Sequence, residues 1–166
     1  SLPSDTGQLL HRPWTFITYE FIHFDLWHIV FNMLWLYWIG IILADFLGNK
    51  KVLPVYLMGS WFGGALYILA YNVFPYFEHS VANSYCLGAS AGVMAIVVAA
   101  ATLTPDYSII LFIWPIRLKW LAAGMVVIDL ISVNAGNPGG HIAHLGGALF
   151  GFIFIKQLQS GNDWSK

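Results

Sequence analysis

Charge is scarce in this chain: 9% of its 166 residues are Asp, Glu, Lys or Arg, where a soluble domain carries about 25%. That scarcity excludes an ordinary water-soluble domain. A single cysteine, Cys86, excludes an internal disulfide framework and a Cys-based zinc cluster. The formal net charge is -1 and no basic run appears, so nothing favours nucleic acid as a partner. The opening stretch SLPSDTGQLLHRPW lacks the basic-then-apolar pattern of a cleavable signal peptide. No internal repeat, low-complexity tract or HExxH motif is present. What the chain does have is apolar bulk, with 58% hydrophobic residues, 17% aromatics and eight Trp. Trp and Tyr favour the two membrane interfaces, where one end of the ring is wet. The composition is that of an integral membrane protein of one domain.

A bilayer core takes about 20 apolar residues in a helix, and on that measure an all-α, polytopic transmembrane helix bundle of five spans is predicted. The spans are Leu26 to Ala44, Val52 to Phe74, Leu87 to Leu103, Trp120 to Val133 and His141 to Ile155. Residues 1–25 form an amino-terminal segment and loop, 26–156 the transmembrane core, and 157–166 a tail. The stretch YSIILFIWPIRLK, broken at Pro115, is expected along the interface before the fourth span. With five spans, Lys50, Lys51, Arg117, Lys119, Lys156 and Lys166 all fall on one side, and only Arg12 on the other. Cytoplasmic loops carry excess Lys and Arg, so that side and the carboxyl terminus are expected in the cytoplasm. Ser1 then lies outside with nothing in the chain to carry it across, which predicts one further transmembrane helix upstream.

Polar groups inside spans are costly and are functional hypotheses by default. His28 and Asn32 are four apart and share a helical face near the outer end of their span. Ser90 lies about one turn into its span from the same side, and His141 and His144 open the last span there. Each also has a plain structural reading: Ser90 as a small packing residue, His141 as a side chain reaching to the interface, Asn32 as an interhelical contact worth about 1 kcal/mol. Asp129, inside the fourth span, has no assigned role. Gly147 and Gly151 form a GxxxG notch on the face that carries His144, and Gly88 and Gly92 flank Ser90. If these two notched faces pack together, Ser90 and His144 approach each other. An imidazole activates a serine hydroxyl by taking its proton, and the oxyanion formed on an attacked carbonyl needs preorganised donors. The Ser90 N–H at a positive helix end, with His28 and Asn32, supplies candidates.

The motifs GASAG (88–92), HIVFN (28–32) and AHLGGALFG (143–151) resemble those of the rhomboid intramembrane serine proteases, in order, spacing and membrane placement. The resemblance runs from about His11 to Lys156. It implies a Ser90–His144 catalytic dyad with no acidic third member. It also implies an oxyanion and substrate-binding wall of His28, Asn32 and Gly88, with helix packing at Gly92, Gly147 and Gly151. It further implies transmembrane protein substrates within a lipid bilayer, no cofactor and no metal, and suggests a bacterial inner membrane. Two positions depart from the family pattern. Met94 stands where an aromatic residue commonly packs against the catalytic His, and Trp14-Thr15 replaces a common Trp-Arg pair. Three other classes compete: a rhomboid-like protein that binds transmembrane clients without cutting them, a metal-dependent enzyme built on His23, His28, His141 and His144, and a transporter, which needs a polar path through both leaflets where the polar groups here crowd the outer half. The first leaves the intact Ser–His pair without a use, and the second leaves Ser90 without one.

Overall fold

The computed structural model describes residues 1–111 and 113–165. Among these, the elements run β1 (Leu2–Pro3), α1 (Thr6–His11), α2 (Thr15–Thr18), α3 (Leu26–Leu47), α4 (Val52–Val73), β2 (Tyr85–Cys86), α5 (Ser90–Leu103), β3 (Ser108–Leu111), β4 (Trp114–Arg117), α6 (Leu118–Ser132) and α7 (Pro138–Gln159). Local chemistry sets the helix ends. The Asp25 carboxylate accepts the His28 N–H at 2.9 Å and starts α3, and Gly48, at φ +85°, closes it. Asn137 caps α7 by accepting the Gly140 N–H at 3.1 Å, with Pro138 in the first turn, where a missing N–H costs nothing.

Among the described residues, three helices are long and apolar enough to cross a membrane: Leu26–Leu47, Asn49–Val73 (α4 with its preceding turn) and Pro138–Gln159. The other two expected spans are shorter. α5 has 14 residues and α6 has 15, so each extends only about 21–23 Å, against a hydrocarbon core of about 30 Å. α5 begins at Ser90 and not at Leu87, because Gly88 has φ +113° and its N–H donates to the Tyr19 carbonyl at 3.1 Å.

α5 is the buried axis of the bundle, with Val93, Ala95, Ile96, Val97 and Ala99 each no more than 3% exposed. Its neighbours approach at backbone distance. A Cβ added to Gly147 would lie 1.9 Å from the Ala91 carbonyl oxygen, and one on Gly151 2.2 Å from that of Ala95. α7 therefore runs parallel to α5. On α4, a Cβ on Gly59 would meet the Ala95 Cβ at 2.2 Å, and one on Gly63 the Ala91 Cβ at 2.8 Å, so α4 runs antiparallel. Here the expectation for one glycine needs correcting. Gly92 does not face Gly147 and Gly151; it faces α4, where a Cβ would meet the Ser60 Oγ at 2.5 Å and the Tyr56 ring at 2.6 Å. One residue turns a helix by about 100°, and the face presented to α7 is Ala91 and Ala95. Large apolar side chains such as Trp27, Trp38, Ile131 and Phe152 point outward, as they do where the solvent is lipid.

Part of the stretch expected along the interface is paired strand. β3 and β4 are antiparallel, with Ser108 opposite Arg117. At the base of this pair the Asp106 carboxylate accepts from Lys119 at 2.6 Å and Arg117 at 3.1 Å, and these cations hold its carboxyl below the usual range. The Phe46 and Tyr107 rings meet 6.0 Å apart, and Lys51 pairs with Asp163 of the tail. Lys51, Arg117 and Lys119 thus gather at the end of the bundle opposite Ser90.

Candidate active site

The approach to Ser90 is braced before the helix begins. β2 pairs with β1, the Ser4 hydroxyl donates to the Val81 carbonyl at 2.7 Å, and Asn72 Nδ2 donates to the Ser4 carbonyl at 2.8 Å. The Tyr67 hydroxyl reaches the Ser84 Oγ at 3.1 Å, and the Ala89 N–H reaches the His23 Nε2 at 3.4 Å. Ser90 is then the first residue of α5, so its own N–H has no intrahelical acceptor and sits at the positive end of the helix.

The close fit of α7 on α5 carries His144 to this point. Its Nε2 lies 2.6 Å from the Ser90 Oγ, across 54 residues of sequence. On its other side, His144 Nδ1 lies 2.9 Å from the Asp129 Oδ1, and the same oxygen is 2.7 Å from His141 Nδ1. Asp129 is buried, at 6% exposed, and both imidazoles pair with its Oδ1, giving the buried charge polar partners. His141 is therefore held within the bundle by Asp129, where the sequence reading sends it to the interface. Sequence reasoning left Asp129 without a role, although a signal was available. Asp129 lies three residues before the end of α6 and His141 three residues after the start of α7. A short connection between antiparallel helices puts such positions opposite each other.

The remaining expected residues gather around the pair to different degrees. Asn32 is buried, at 7% exposed, and its Nδ2 donates to the His28 carbonyl of its own helix at 2.8 Å. An amide has a second N–H, and Asn32 shares the lining of one cleft with His28, Ser90 and His144. The His28 ring stands against Gly88, where an added Cβ would meet it at 3.0 Å and the Ser90 Oγ at 3.7 Å. Gly88 stands beside the His28 ring, but its N–H is engaged by the Tyr19 carbonyl. It contributes clearance for His28 and no donor. Met94, one turn after Ser90, is buried and lines the same cleft.

That cleft, of about 380 Å³, opens between α3 and α6 and is walled by apolar side chains such as Phe31, Trp35, Met125 and Ile128. A second cleft of about 400 Å³, between α3 and α4, holds Glu20, His23 and Tyr56 but no nucleophile paired to a base. Cys86 does not compete with Ser90 as nucleophile, because burial pushes its thiol up to about 12, far from the thiolate form that reacts. The Asp129, His141 and His144 donor atoms lie within 4.8 Å of one another, close enough to share a cation. All three donors are already paired in one hydrogen-bonded chain that ends on Ser90.

A hydroxyl held on an imidazole, at a helix amino terminus beneath a largely apolar cleft between α3 and α6, defines a candidate serine-type nucleophilic site inside a polytopic membrane protein. The chain belongs to the rhomboid family: the Rhomboid domain matches residues 10–159. It is 30% identical over 158 residues to the RHOMBOID-like protein 12, mitochondrial, of Arabidopsis thaliana, covering 89% of this chain and 47% of that protein. It is 25% identical over 159 residues to the Rhomboid protease GlpG of Serratia proteamaculans, covering 92% and 50%. Against the Rhomboid protein 1, mitochondrial, of Saccharomyces cerevisiae, identity is 32% over 143 residues, covering 81% and 38%. The chain thus spans about half the length, or less, of these curated relatives. No solved structure matches it. Family and apolar helices together make this an integral membrane protein, with relatives of both mitochondrial and bacterial origin.

Proposed function

We propose that this chain is the core of an intramembrane serine endopeptidase, in which Ser90 is the nucleophile and His144 the general base. The observation that carries the reading is the 2.6 Å contact between Ser90 Oγ and His144 Nε2. His144 Nε2 takes the hydroxyl proton as Ser90 Oγ bonds to the substrate carbonyl carbon, and the carbonyl π electrons move to oxygen. The oxyanion meets the Ser90 N–H, the free Asn32 amide hydrogen and the His28 ring. Collapse breaks the C–N bond, and the leaving amine takes the proton from His144. Water then attacks the acyl ester with His144 again as base, and the proton returns to Ser90 as the acid product leaves.

The geometry also favours a substrate class. The cleft holds about 380 Å³ and is walled largely by apolar side chains, which suits one segment of a transmembrane helix unwound near its end. A peptide bond within a helix is shielded by its own hydrogen bonds, so helix-breaking or small residues at the cut are favoured. We read α5 and α6 as membrane-crossing despite their length, giving five spans in a single domain. The shortness of α5 puts Ser90 below the surface. With the basic end of the bundle in the cytoplasm, cleavage falls near the outer face, and the carboxyl terminus lies inside.

The test is cleavage of a generic single-span substrate by the purified, reconstituted protein, with the product ends located by mass spectrometry. Cuts in the outer third of the span, insensitive to chelators, support the reading. Absence of any cleavage would favour the non-catalytic client binder. Asn32→Ala adds a graded check. Loss of one oxyanion donor typically lowers the rate about 10²–10³-fold, and kcat is expected to fall by about that much with the fold retained. A variant as inactive as one lacking Ser90 would mean that Asn32 holds structure instead.

A further inference from the structure

The motifs GASAG and AHLGGALFG of this chain supply Ser90 and His144, but the line of hydrogen bonds does not stop at that pair. We infer that Asp129 is a positioning residue that fixes the tautomer and orientation of His144, completing a Ser90–His144–Asp129 arrangement; the inference rests on the serine-protease reading of the same site.

Three observations support it. The Asp129 Oδ1 lies 2.9 Å from His144 Nδ1, while His144 Nε2 lies 2.6 Å from Ser90 Oγ. A carboxylate only accepts, so His144 carries its proton on Nδ1 and leaves Nε2 bare to receive the serine proton. Second, the carboxylate is itself anchored, because His141 Nδ1 donates to the same oxygen at 2.7 Å. Third, no aromatic ring stands one turn after Ser90 to pack against His144; Met94 occupies that position. A flexible thioether fixes a ring poorly, and the Asp129 hydrogen bond supplies the missing restraint. The groups facing His144 come from three other helices: Asp129 on α6, Ser90 on α5 and His28 on α3. Among them only Asp129 accepts the Nδ1 proton.

The experiment uses the full-length protein, labelled with ¹⁵N at histidine and purified in detergent, with the His144 resonances assigned by difference against His144→Gln. The parent is expected to show a protonated Nδ1 and an unprotonated Nε2. Asp129→Asn, nearly isosteric, offers an amide donor to Nδ1 and is expected to shift His144 toward the Nε2–H tautomer. Its kcat is expected to fall about 10²–10⁴-fold, the scale set by the same exchange in a soluble serine protease, with KM within about threefold. A parent whose His144 carries its proton on Nε2 overturns the inference without recourse to any variant. So does an Asp129→Asn protein with the parent's kcat, or a His144 signal that changes on chelation, which would reassign the cluster to a bound divalent cation. The tautomer reading does not depend on cleavage. If no substrate is cut yet Nδ1 carries the proton, the proposed function fails and the positioning role stands.

Discussion

Ser90→Ala is expected to abolish proteolysis, lowering kcat by about 10⁶-fold, the scale seen when a serine hydrolase loses its nucleophile. The change removes one hydroxyl from a half-buried position at the start of α5. Its neighbours Ala89 and Ala91 are already small and buried, so no packing is lost. The one partner left behind is His144 Nε2, which faces the cleft and can be reached by water. Thermal stability should therefore stay within about 1 kcal/mol of the parent. The pairing of full inactivity with an intact fold separates a nucleophile from a packing residue. Cleavage that survives the substitution would remove the serine mechanism altogether.

Gly147→Ala is expected to have the largest effect on stability. The added methyl would sit 1.9 Å from the Ala91 carbonyl oxygen and 2.8 Å from its carbon, both backbone atoms that cannot swing aside. Overpacking typically costs 1–3 kcal/mol, and a clash between two backbones belongs at the upper end. About 3 kcal/mol in a chain of this size lowers Tm by about 6–12 °C. The damage reaches the site directly. Ala91 follows Ser90, and Gly147 lies one turn from His144, so parting α5 from α7 stretches the Ser90–His144 contact. A misplacement of about 1 Å can cost 10²-fold in rate. Gly124 on α6 is the control, since a Cβ there meets nothing within 4 Å. Gly124→Ala should be neutral or mildly stabilising by restricting the unfolded chain. Equal Tm values for the two variants would contradict the close packing of α5 and α7.

The long helices were legible because lipid-length apolar runs leave little choice. α4 was expected from Val52 to Phe74 and runs Val52–Val73. The α7 start was misjudged: NAGNPGG reads as a loop, yet Asn137 is the cap and Pro138 the first helical residue, a pattern that favours helix starts. The paired strands Ser108–Leu111 and Trp114–Arg117 were not legible. Their run of apolar residues has no two-residue Gly or Asn turn to signal a hairpin, and Pro115 reads as a simple break. At the site, Ser90, His144, His28 and Asn32 were found through their cost inside a membrane, and the structure brings all four to one cleft. The Gly92 misplacement came from treating glycines as the contact face, when alanine backbone serves α7 equally well. Asp129 was visible as a costly charge but had no partner until α6 and α7 were seen to fold back on each other.

The central claim, that His144 activates Ser90, is tested most directly by covalent labelling. The purified full-length protein is treated with a fluorophosphonate, digested, and the modified residue located by mass spectrometry. A single phosphonyl adduct on Ser90, absent in Ser90→Ala and slowed by orders of magnitude in His144→Ala, is the predicted result. An unlabelled Ser90 in folded protein, or labelling that proceeds equally well without His144, would contradict it.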